Sequence, residues 1–434
     1  MSMHPRQPPP EPSRATSGPR TSLPGQANPS WMGQVEPENY REAPAKSGGP
    51  VRALPVHAMP VDGAAPRAGT AARSAVGRPS AGLLALGIGG GGLAFLSLFL
   101  VVPFLLANTG PAGFLGGFVA SLIPLSAVLL AVHVIDRWEP EPGHLLFFAF
   151  TWGAAVAVAV TLLVQPFFAL TFEFSGESDF QTYMATVQAP VVEESAKSLG
   201  LLLLLILARK HFDGPVDGVV FAFTIAGGFA FTENILYFGR AIAESASPAS
   251  DLAQIFLLRG VMSPFAHAIF TGTTGLIMGF AARRWHMGVS VAAFFIGLLP
   301  AMLLHNRWNS MGQGFLADYI LVQVPIFFLA ILGIILLRVA ENRLTRQRLL
   351  EYAAAGWFTP AEVAMLATAS GRRAAVAWAG RYNRRHQMKS FVKAATQLAF
   401  TRQRILSGRD VQLHQVEERD QLQRILALRA AVAG

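Results

Sequence analysis

One stretch of this sequence constrains its fold most strongly, because it places three ionisable residues at the head of a leucine run. Glu193, Glu194 and Lys197 lead directly into residues 199–207, which are almost all leucine. With its apolar flanks the segment is long enough to cross a bilayer, for which about 20 apolar residues suffice. A charge at the centre of a membrane helix costs about 2.5–3.5 kcal/mol on insertion scales, so such residues indicate a functional site.

The composition is that of a membrane protein. Of the 434 residues, 52% are hydrophobic and only 14% are charged, whereas soluble domains carry about 25% charged residues. The chain contains no cysteine. Disulfides, thiolate metal sites and a cysteine nucleophile are therefore excluded from its chemistry.

Hydropathy predicts an all-α fold, a polytopic membrane helix bundle of about eight transmembrane helices. The predicted spans are about 81–107, 112–134, 144–170, 183–208, 216–238, 254–281, 288–305 and 316–339. They form a membrane domain at 81–340. Residues 1–80 are rich in Pro, Gly and Ala without apolar periodicity, which predicts a disordered cytosolic tail.

The C-terminal tail, 341–434, carries the net charge of the chain. It contains 16 Lys/Arg and 7 Asp/Glu, and this difference of +9 equals the net charge of the whole sequence. Its amphipathic pattern, with a capping box at Thr359–Glu362, predicts a basic helical cytosolic tail. An anionic leaflet attracts each basic residue by about 1 kcal/mol. The lipid bilayer is therefore an expected partner and no nucleic acid is expected.

The short loops predict an orientation. Basic pairs at 209–210 and 283–284, and the basic residues that follow the last span, alternate along the chain with an acidic loop at 171–182. Because cytoplasmic loops carry an excess of Lys and Arg, both the N- and the C-terminus are predicted to be cytoplasmic. The sequence leaves the oligomeric state open.

Ionisable residues on four successive spans fall at one depth in this topology. Glu193 and Glu194 lie in the outer third of the fourth span, and Glu233 lies in the outer third of the fifth. His267 lies one-third to one-half of the way into the sixth span, and His305 ends the seventh. Unrelated core polar residues would be spread through the depth of the membrane, so we predict one shared site.

Helical spacing adds partners to this set. Lys197 is three and four residues after the two glutamates, so one ammonium group can neutralise either carboxylate. Such a group of carboxylates and a cation suits general acid–base catalysis. Asn309 follows His305 by four residues and is predicted to orient its imidazole or to donate a hydrogen bond to a developing oxyanion.

Three further residues are predicted to shape the sixth span. Pro264 can kink the helix and open space for water. Ser263 lies one turn before His267 and is a candidate for orienting its ring. Arg259 is predicted to extend to the outer interface, although substrate contact is an alternative.

Four motifs stand in order along spans four to seven, namely Glu193-Glu194-x2-Lys197, Phe229-x3-Glu233-Asn234, Arg259-x4-Pro264-x2-His267-x4-Gly272 and His305-x3-Asn309. Together they resemble the motifs of the PrsW family of intramembrane proteases, relatives of the CAAX prenyl endopeptidases and the Abi proteins. The likeness covers about residues 130–310 and includes the turn Asp136–Pro142.

This resemblance implies peptide-bond hydrolysis in or near the membrane, on a membrane-anchored protein substrate such as an anti-sigma factor. It implies that Glu193, Glu194 and His267 carry catalysis, with Glu233 and His305 completing the site. Relatives of the family can have Asp where this chain has Asn309.

The cofactor stays open at this stage. The resemblance implies a metalloprotease, and Glu233, His267 and His305 are the ligands predicted for a catalytic zinc ion with one position left for water. A metal-free glutamate mechanism uses the same residues.

Two other classes of function remain as alternatives. Ionisable residues in spans also mark the pathways of ion-coupled transporters, although the sequence lacks the internal repeat that would favour one. A non-catalytic scaffold that binds membrane partners through the basic tail is the other.

Overall fold

The computed structural model of the chain describes residues 86–137, 140–171, 174–311, 315–408 and 411–433. The predicted disordered tail, 1–80, lies outside the described residues, as does the start of the first predicted span. Every regular element of the described residues is a helix, which confirms the predicted all-α class.

The helices are named here in chain order. Short π-helical segments continue α1, α3, α5, α7 and α11 at one end, and a 3₁₀ turn covers Arg209–His211. The α-helices are α1 Gly91–Ile135, α2 Gly143–Thr151, α3 Val158–Thr171, α4 Glu177–Tyr183, α5 Ala189–Leu207, α6 Pro215–Ala243, α7 Pro248–Phe256, α8 Ala266–Arg284, α9 Met287–Asn309, α10 Phe315–Asp318, α11 Val324–Ala354, α12 Pro360–Leu366, α13 Ala369–Arg381, α14 Arg385–Leu406 and α15 Val411–Ala433.

Six helical stretches of the described residues are long and apolar enough to cross a membrane by length and composition, namely Leu86–Ile135, Gly143–Phe168, Pro215–Ala243, Pro248–Arg284, Met287–Asn309 and Phe315–Ala354. The first has 50 residues, about 75 Å of helix, which is far longer than one crossing. Its backbone leaves the helical region at Gly110, where φ is 63°. Val101 and Leu105, before this break, line one pocket together with Phe114 and Phe118, after it, so the stretch turns back on itself as two predicted spans.

Helix α5 is the remaining predicted span. It has 19 residues, enough to cross a membrane. It is not among the six apolar stretches because it carries the three charges of Glu193, Glu194 and Lys197. The six stretches, the second half of the first one, and α5 together account for the eight predicted spans. The chain is an integral membrane protein built as a polytopic helix bundle.

Helix α6 is the centre of the bundle and packs backbone to backbone against α8. A Cβ atom on Gly218 would lie 2.0 Å from the carbonyl oxygen of Gly275, and one on Gly275 would lie 2.2 Å from that of Gly218. Small residues allow such close approach of helices in membranes. This contact fixes α8 beside α6, and therefore His267 at the head of α8 beside Glu233 near the end of α6.

The sixth span is broken immediately before α8. The π-helical end of α7 stops at Met262, and Ser263 and Phe265 have non-helical backbone angles on either side of Pro264. Ser263 Oγ donates to the carbonyl of Leu258 at 2.8 Å. The prediction that Ser263 orients the His267 ring is therefore wrong, because its hydroxyl satisfies a carbonyl that the broken helix leaves without its usual partner.

The described part of the C-terminal tail is helical and has its own apolar core around Trp357, Phe391 and Leu398. The predicted capping box is present, with Thr359 and Glu362 each bonded to the backbone of the other. An ion pair between Arg404 and Asp213 ties α14 to the loop that precedes α6. The tail thus packs on the end of the bundle that carries the basic loops.

Candidate active site

Lys197 is the centre of a fully buried network on α5. Its side chain has no exposed surface, and its ammonium lies 2.6 Å from Glu194 Oε1 and 3.7 Å from Glu193 Oε2. The same group donates to His267 Nδ1 at 3.2 Å. The ammonium group therefore lies within ion-pair distance of either glutamate, and it also reaches the histidine of the sixth span.

Glu194 is saturated with hydrogen bonds and has no solvent exposure. Besides the lysine, His305 Nδ1 donates to its Oε1 at 3.0 Å and Thr271 Oγ1 donates to its Oε2 at 2.8 Å. Both oxygens therefore have partners. This carboxylate is placed to hold His305 in one tautomer and orientation, since the ring nitrogen that donates to it must carry a proton.

Glu233 holds the ring of His267 in the way that Glu194 holds the ring of His305. His267 Nε2 donates to Glu233 Oε2 at 2.8 Å, and the same oxygen accepts a hydrogen bond from the Arg259 guanidinium. Arg259 also donates through Nε to Asn234 at 2.8 Å and lies 4.0 Å from the ring centre of Tyr237. The predicted extension of Arg259 to the outer interface is therefore wrong, because the carboxylate of Glu233 holds the guanidinium at the site.

Glu193 differs from its neighbour because its Oε2 atom makes no hydrogen bond with any described residue and has only the longer ion pair with Lys197, at 3.7 Å. This atom is buried. This oxygen lies 3.9 Å from His305 Nε2. The rings of His267 and His305 meet at nearly a right angle, with centres 5.2 Å apart, so this oxygen faces the two imidazoles.

Asn309 lies beyond this group. The His305 ring donates its Nδ1 hydrogen bond to Glu194 instead. Asn309 Nδ2 donates to the backbone carbonyl of Ala185 at 2.8 Å. The prediction that Asn309 orients the His305 imidazole is wrong for this reason. Its contact ties the end of α9 to the π-helical segment before α5.

The set of ligands that could hold a metal also differs from the predicted one. Ligand atoms of Glu193, His267 and His305 all lie within 4.8 Å of one another. Glu233 was predicted in place of Glu193, but its Oε2 atom is occupied by Arg259 and by the far nitrogen of His267. Glu193 replaces it because its Oε2 atom faces the imidazoles.

Two residues that the sequence did not indicate complete the surroundings. Thr271 lies one turn after His267 on the same face of α8 and holds Glu194. Phe270 stacks on His305 with ring centres 5.0 Å apart. A threonine and a phenylalanine in an apolar helix are common, so only the four-residue spacing from His267 to Thr271 could have drawn attention to either.

Comparison with known proteins shows the family of this chain. A family model described as PrsW family intramembrane metalloprotease matches residues 141–334. Protease PrsW of Clostridioides difficile (strain 630) is 30% identical over 193 residues, which are 44% of this chain and 77% of that protein. The chain belongs to the PrsW family. No solved structure matches it.

Other PrsW proteases are similar to the same part of the chain. Protease PrsW of Oceanobacillus iheyensis is 29% identical over 220 residues, 50% of this chain and 91% of that protein. Protease PrsW of Bacillus subtilis (strain 168) is 25% identical over 194 residues, 44% of this chain and 79% of that protein. The resemblance predicted from the four motifs is confirmed, and none of these matches supports the transporter alternative.

Proposed function

We propose that this PrsW-family protein is an endopeptidase that hydrolyses a peptide bond of a membrane-anchored protein, using Glu193 as its general base. The observation that carries this proposal is the buried Oε2 atom of Glu193, which accepts no hydrogen bond from the described residues and faces two imidazoles. A general base needs an oxygen that can accept the proton of a water molecule. Glu194 has no such oxygen, because both of its oxygens accept hydrogen bonds from other side chains.

The donor set fits a zinc ion. Two imidazoles and one carboxylate form the His₂Glu combination of many catalytic zinc sites. His267 and His305 each donate one ring nitrogen to a carboxylate, Glu233 or Glu194, as metal-binding histidines commonly do. The other nitrogen of His267, Nδ1, accepts from Lys197 at 3.2 Å, so the ammonium group must move away from this atom for zinc to bind there. Zinc held by such a set supplies Lewis acidity, which polarises a scissile carbonyl and makes water nucleophilic near neutral pH.

The side chains of the site have separate roles in the proposed hydrolysis. Glu193 has a different role in each mechanism. With zinc bound, its Oε2 atom would be one of the ligands that hold the metal; without metal, the same atom takes a proton from the attacking water and returns it to the leaving amine. Lys197 supplies a buried positive charge that offsets the two glutamates of α5. In a mechanism without metal, the same Glu193 acts as base and the two imidazoles stabilise the oxyanion.

The substrate class follows from the position of the site. Counted along α8 and α9, His267 and His305 lie 17 and 18 residues from the basic end of the bundle, about 25 Å along each helix. Because basic loops favour the cytoplasm, we place both termini there and the site towards the outer face. A single-span regulatory protein, such as an anti-sigma factor, suits a site at this level.

Comparative membrane proteomics of the native host tests the proposal. Cells that carry Glu193→Gln should accumulate one or a few single-span proteins in uncut form, whereas wild-type cells should contain their fragments. Glu244→Gln is the matched control, since Glu244 is an exposed glutamate at the end of α6. Equal fragment patterns in wild-type and Glu193→Gln cells would contradict the proposal.

Metal analysis of the purified protein separates the two mechanisms. With zinc held by Glu193, His267 and His305, wild type should contain about one zinc ion per chain and His305→Ala should contain much less. His133→Ala is the control, because His133 is an exposed histidine of α1. A fully active wild-type protein that is free of metal would establish the glutamate mechanism instead.

A further inference from the structure

A small groove lies next to the candidate site, between the break in the sixth span and the last span. We name it the Gln323 groove after the polar residue in its wall, and its volume is about 140 Å³. The residues that form it include Ser263–Ala266, Trp308, Tyr319, Gln323 and Phe327. Two residues of its wall, Ala266 and Trp308, lie one and three residues along the chain from His267 and His305.

Gln323 is buried, and the nitrogen of its side-chain amide has no hydrogen-bond partner in the part of the chain that the structure describes. The residue is only 9% exposed, and its Nε2 atom makes no hydrogen bond with any described residue. An unpaired buried donor is costly in proteins. A donor held in this way is suited to an acceptor that arrives with a ligand.

The groove lies at the depth of the site. Gln323 precedes Arg338 by 15 residues, about 22 Å along the last span. His267 precedes Arg284, at the same end of the bundle, by 17 residues, about 25 Å. A ligand that contacts Gln323 would therefore be level with the two imidazoles.

The backbone around the groove is already irregular. Tyr319 donates its hydroxyl to the carbonyl of Met262 at 2.8 Å, which satisfies one carbonyl left free by the break. Along the last span, Phe315–Ala354, almost no residue of the apolar stretch is buried. The helix that forms one wall of the groove therefore has few contacts to hold it in place, and it offers a side for lateral entry from the lipid.

We propose that the Gln323 groove binds the unwound peptide segment next to the scissile bond, with the Gln323 amide donating to a substrate carbonyl. This inference rests on the proposed function. A peptide bond in a helix is shielded, so a membrane substrate must unwind before attack, and its freed N–H and C=O groups then lack partners in lipid. The amide nitrogen of Gln323, which has no hydrogen bond among the described residues and lies at the depth of the imidazoles, meets this need.

Kinetics in proteoliposomes tests the proposal. The probe is a quenched-fluorescent leucine–alanine peptide, long enough to span the bilayer, with three central glycines that favour unwinding. Gln323→Met keeps the length of the side chain and removes the donor. Loss of one neutral hydrogen bond should raise KM for this probe about three- to tenfold and leave kcat nearly unchanged.

Thermal unfolding separates this role from a structural one. Because Gln323→Met removes an unpaired buried donor, its Tm should equal or exceed that of wild type, whereas loss of a structural contact would lower it. Gln403→Met, in the C-terminal tail, is the matched control, since Gln403 also has a buried amide atom without a partner. The control should change KM by less than twofold.

The outcomes distinguish the groove from the proposed function. A wild-type KM in Gln323→Met, or a clearly lowered Tm, would overturn the proposal that the groove binds substrate and would leave the proposed function untouched. A wild-type protein that cleaves neither this probe nor any protein of the native membrane would overturn the proposed function and the groove with it.

Photocrosslinking gives a second, independent measurement. A benzoylphenylalanine at position 327, in the groove, should crosslink to the central residues of the probe in the Glu193→Gln background. The same group at position 328 is the control, because Phe328 is 62% exposed. Adducts with lipid alone at position 327 would overturn the proposal.

Discussion

Two adjacent glutamates have different surroundings, and this difference predicts different phenotypes. Glu193→Gln should lower the rate of peptide hydrolysis by about 10²–10⁴-fold, the usual contribution of a general base, with little change in Tm. Glu194→Gln removes the charge that pairs with buried Lys197 and should lower Tm clearly, since breaking a buried ion pair costs about 3–5 kcal/mol. Activity assays and thermal unfolding of both variants in detergent check this.

The reverse pattern would contradict the assignment of the base. An unstable Glu193→Gln protein beside a stable, inactive Glu194→Gln protein would mean that Glu194 is the base. Equal loss of activity without any change in Tm would mean that neither carboxylate is needed to hold Lys197 and His305.

The buried carboxyl group of Asp136, the residue that follows α1, should make the stability of the protein depend on pH. Burial raises the pKa of this carboxyl from 3.8 to about 6, although both oxygens accept a hydrogen bond from the backbone N–H of Glu141. A raised pKa means that the folded state favours the protonated form. The stability from this group is complete below about pH 4 and is lost as the pH rises through 6.

Thermal unfolding from pH 4 to 7 tests this statement with Asp136→Asn, which stays neutral. The Tm of the variant relative to wild type should rise across this interval. A difference that stays constant from pH 4 to 7 would show that Asp136 does not titrate with a raised pKa.

At the scale of single residues, the sequence predicted which side chains meet but not how they pair. Carboxylates and imidazoles on four spans could be brought together by counting residues along each helix, because depth follows from helical rise. The choice between Glu193 and Glu233 as a partner of the imidazoles could not be made this way. It depends on Arg259, whose guanidinium occupies Glu233, and the rotation of one helix against another is not encoded in residue counts.

At the scale of the helices, the contact of α6 with α8 determines whether the site forms. Gly275→Ala would place a Cβ atom 2.2 Å from the Gly218 carbonyl oxygen, so the two helices must separate. We expect loss of most hydrolytic activity and a lower Tm, measured in the same preparation. Gly333→Ala is the control, because nothing lies within 4 Å of its added Cβ, and it should retain full activity.

A Gly275→Ala protein with normal activity would show that the close approach of α6 and α8 is not needed to position His267. The eight spans themselves were predictable because long apolar segments leave few alternatives to helices in lipid. The break at Ser263–Phe265 was predictable only in part. Pro264 indicated a kink, but the contact of Tyr319 with Met262 comes from another span.

At the scale of the whole molecule, the proposed activity depends on one arrangement. Side chains from α5, α8 and α9, held by partners on α6, form a single hydrolytic centre in a membrane bundle. The distances among Glu193, His267 and His305 support this arrangement, and membership of the PrsW family agrees with it. The C-terminal tail docks through Arg404 and Asp213, away from these groups.

A double-mutant cycle of peptide hydrolysis tests this arrangement most directly. Residues that act as one catalytic unit are strongly non-additive. The measurement is the rate of cleavage by wild type, Glu193→Gln, His267→Ala and the double variant in proteoliposomes. If the two residues act together, both single variants should lose almost all activity and the double variant should be no slower than the slower single variant. Losses that multiply in the double variant, or single variants with near-wild-type rates, would contradict this arrangement.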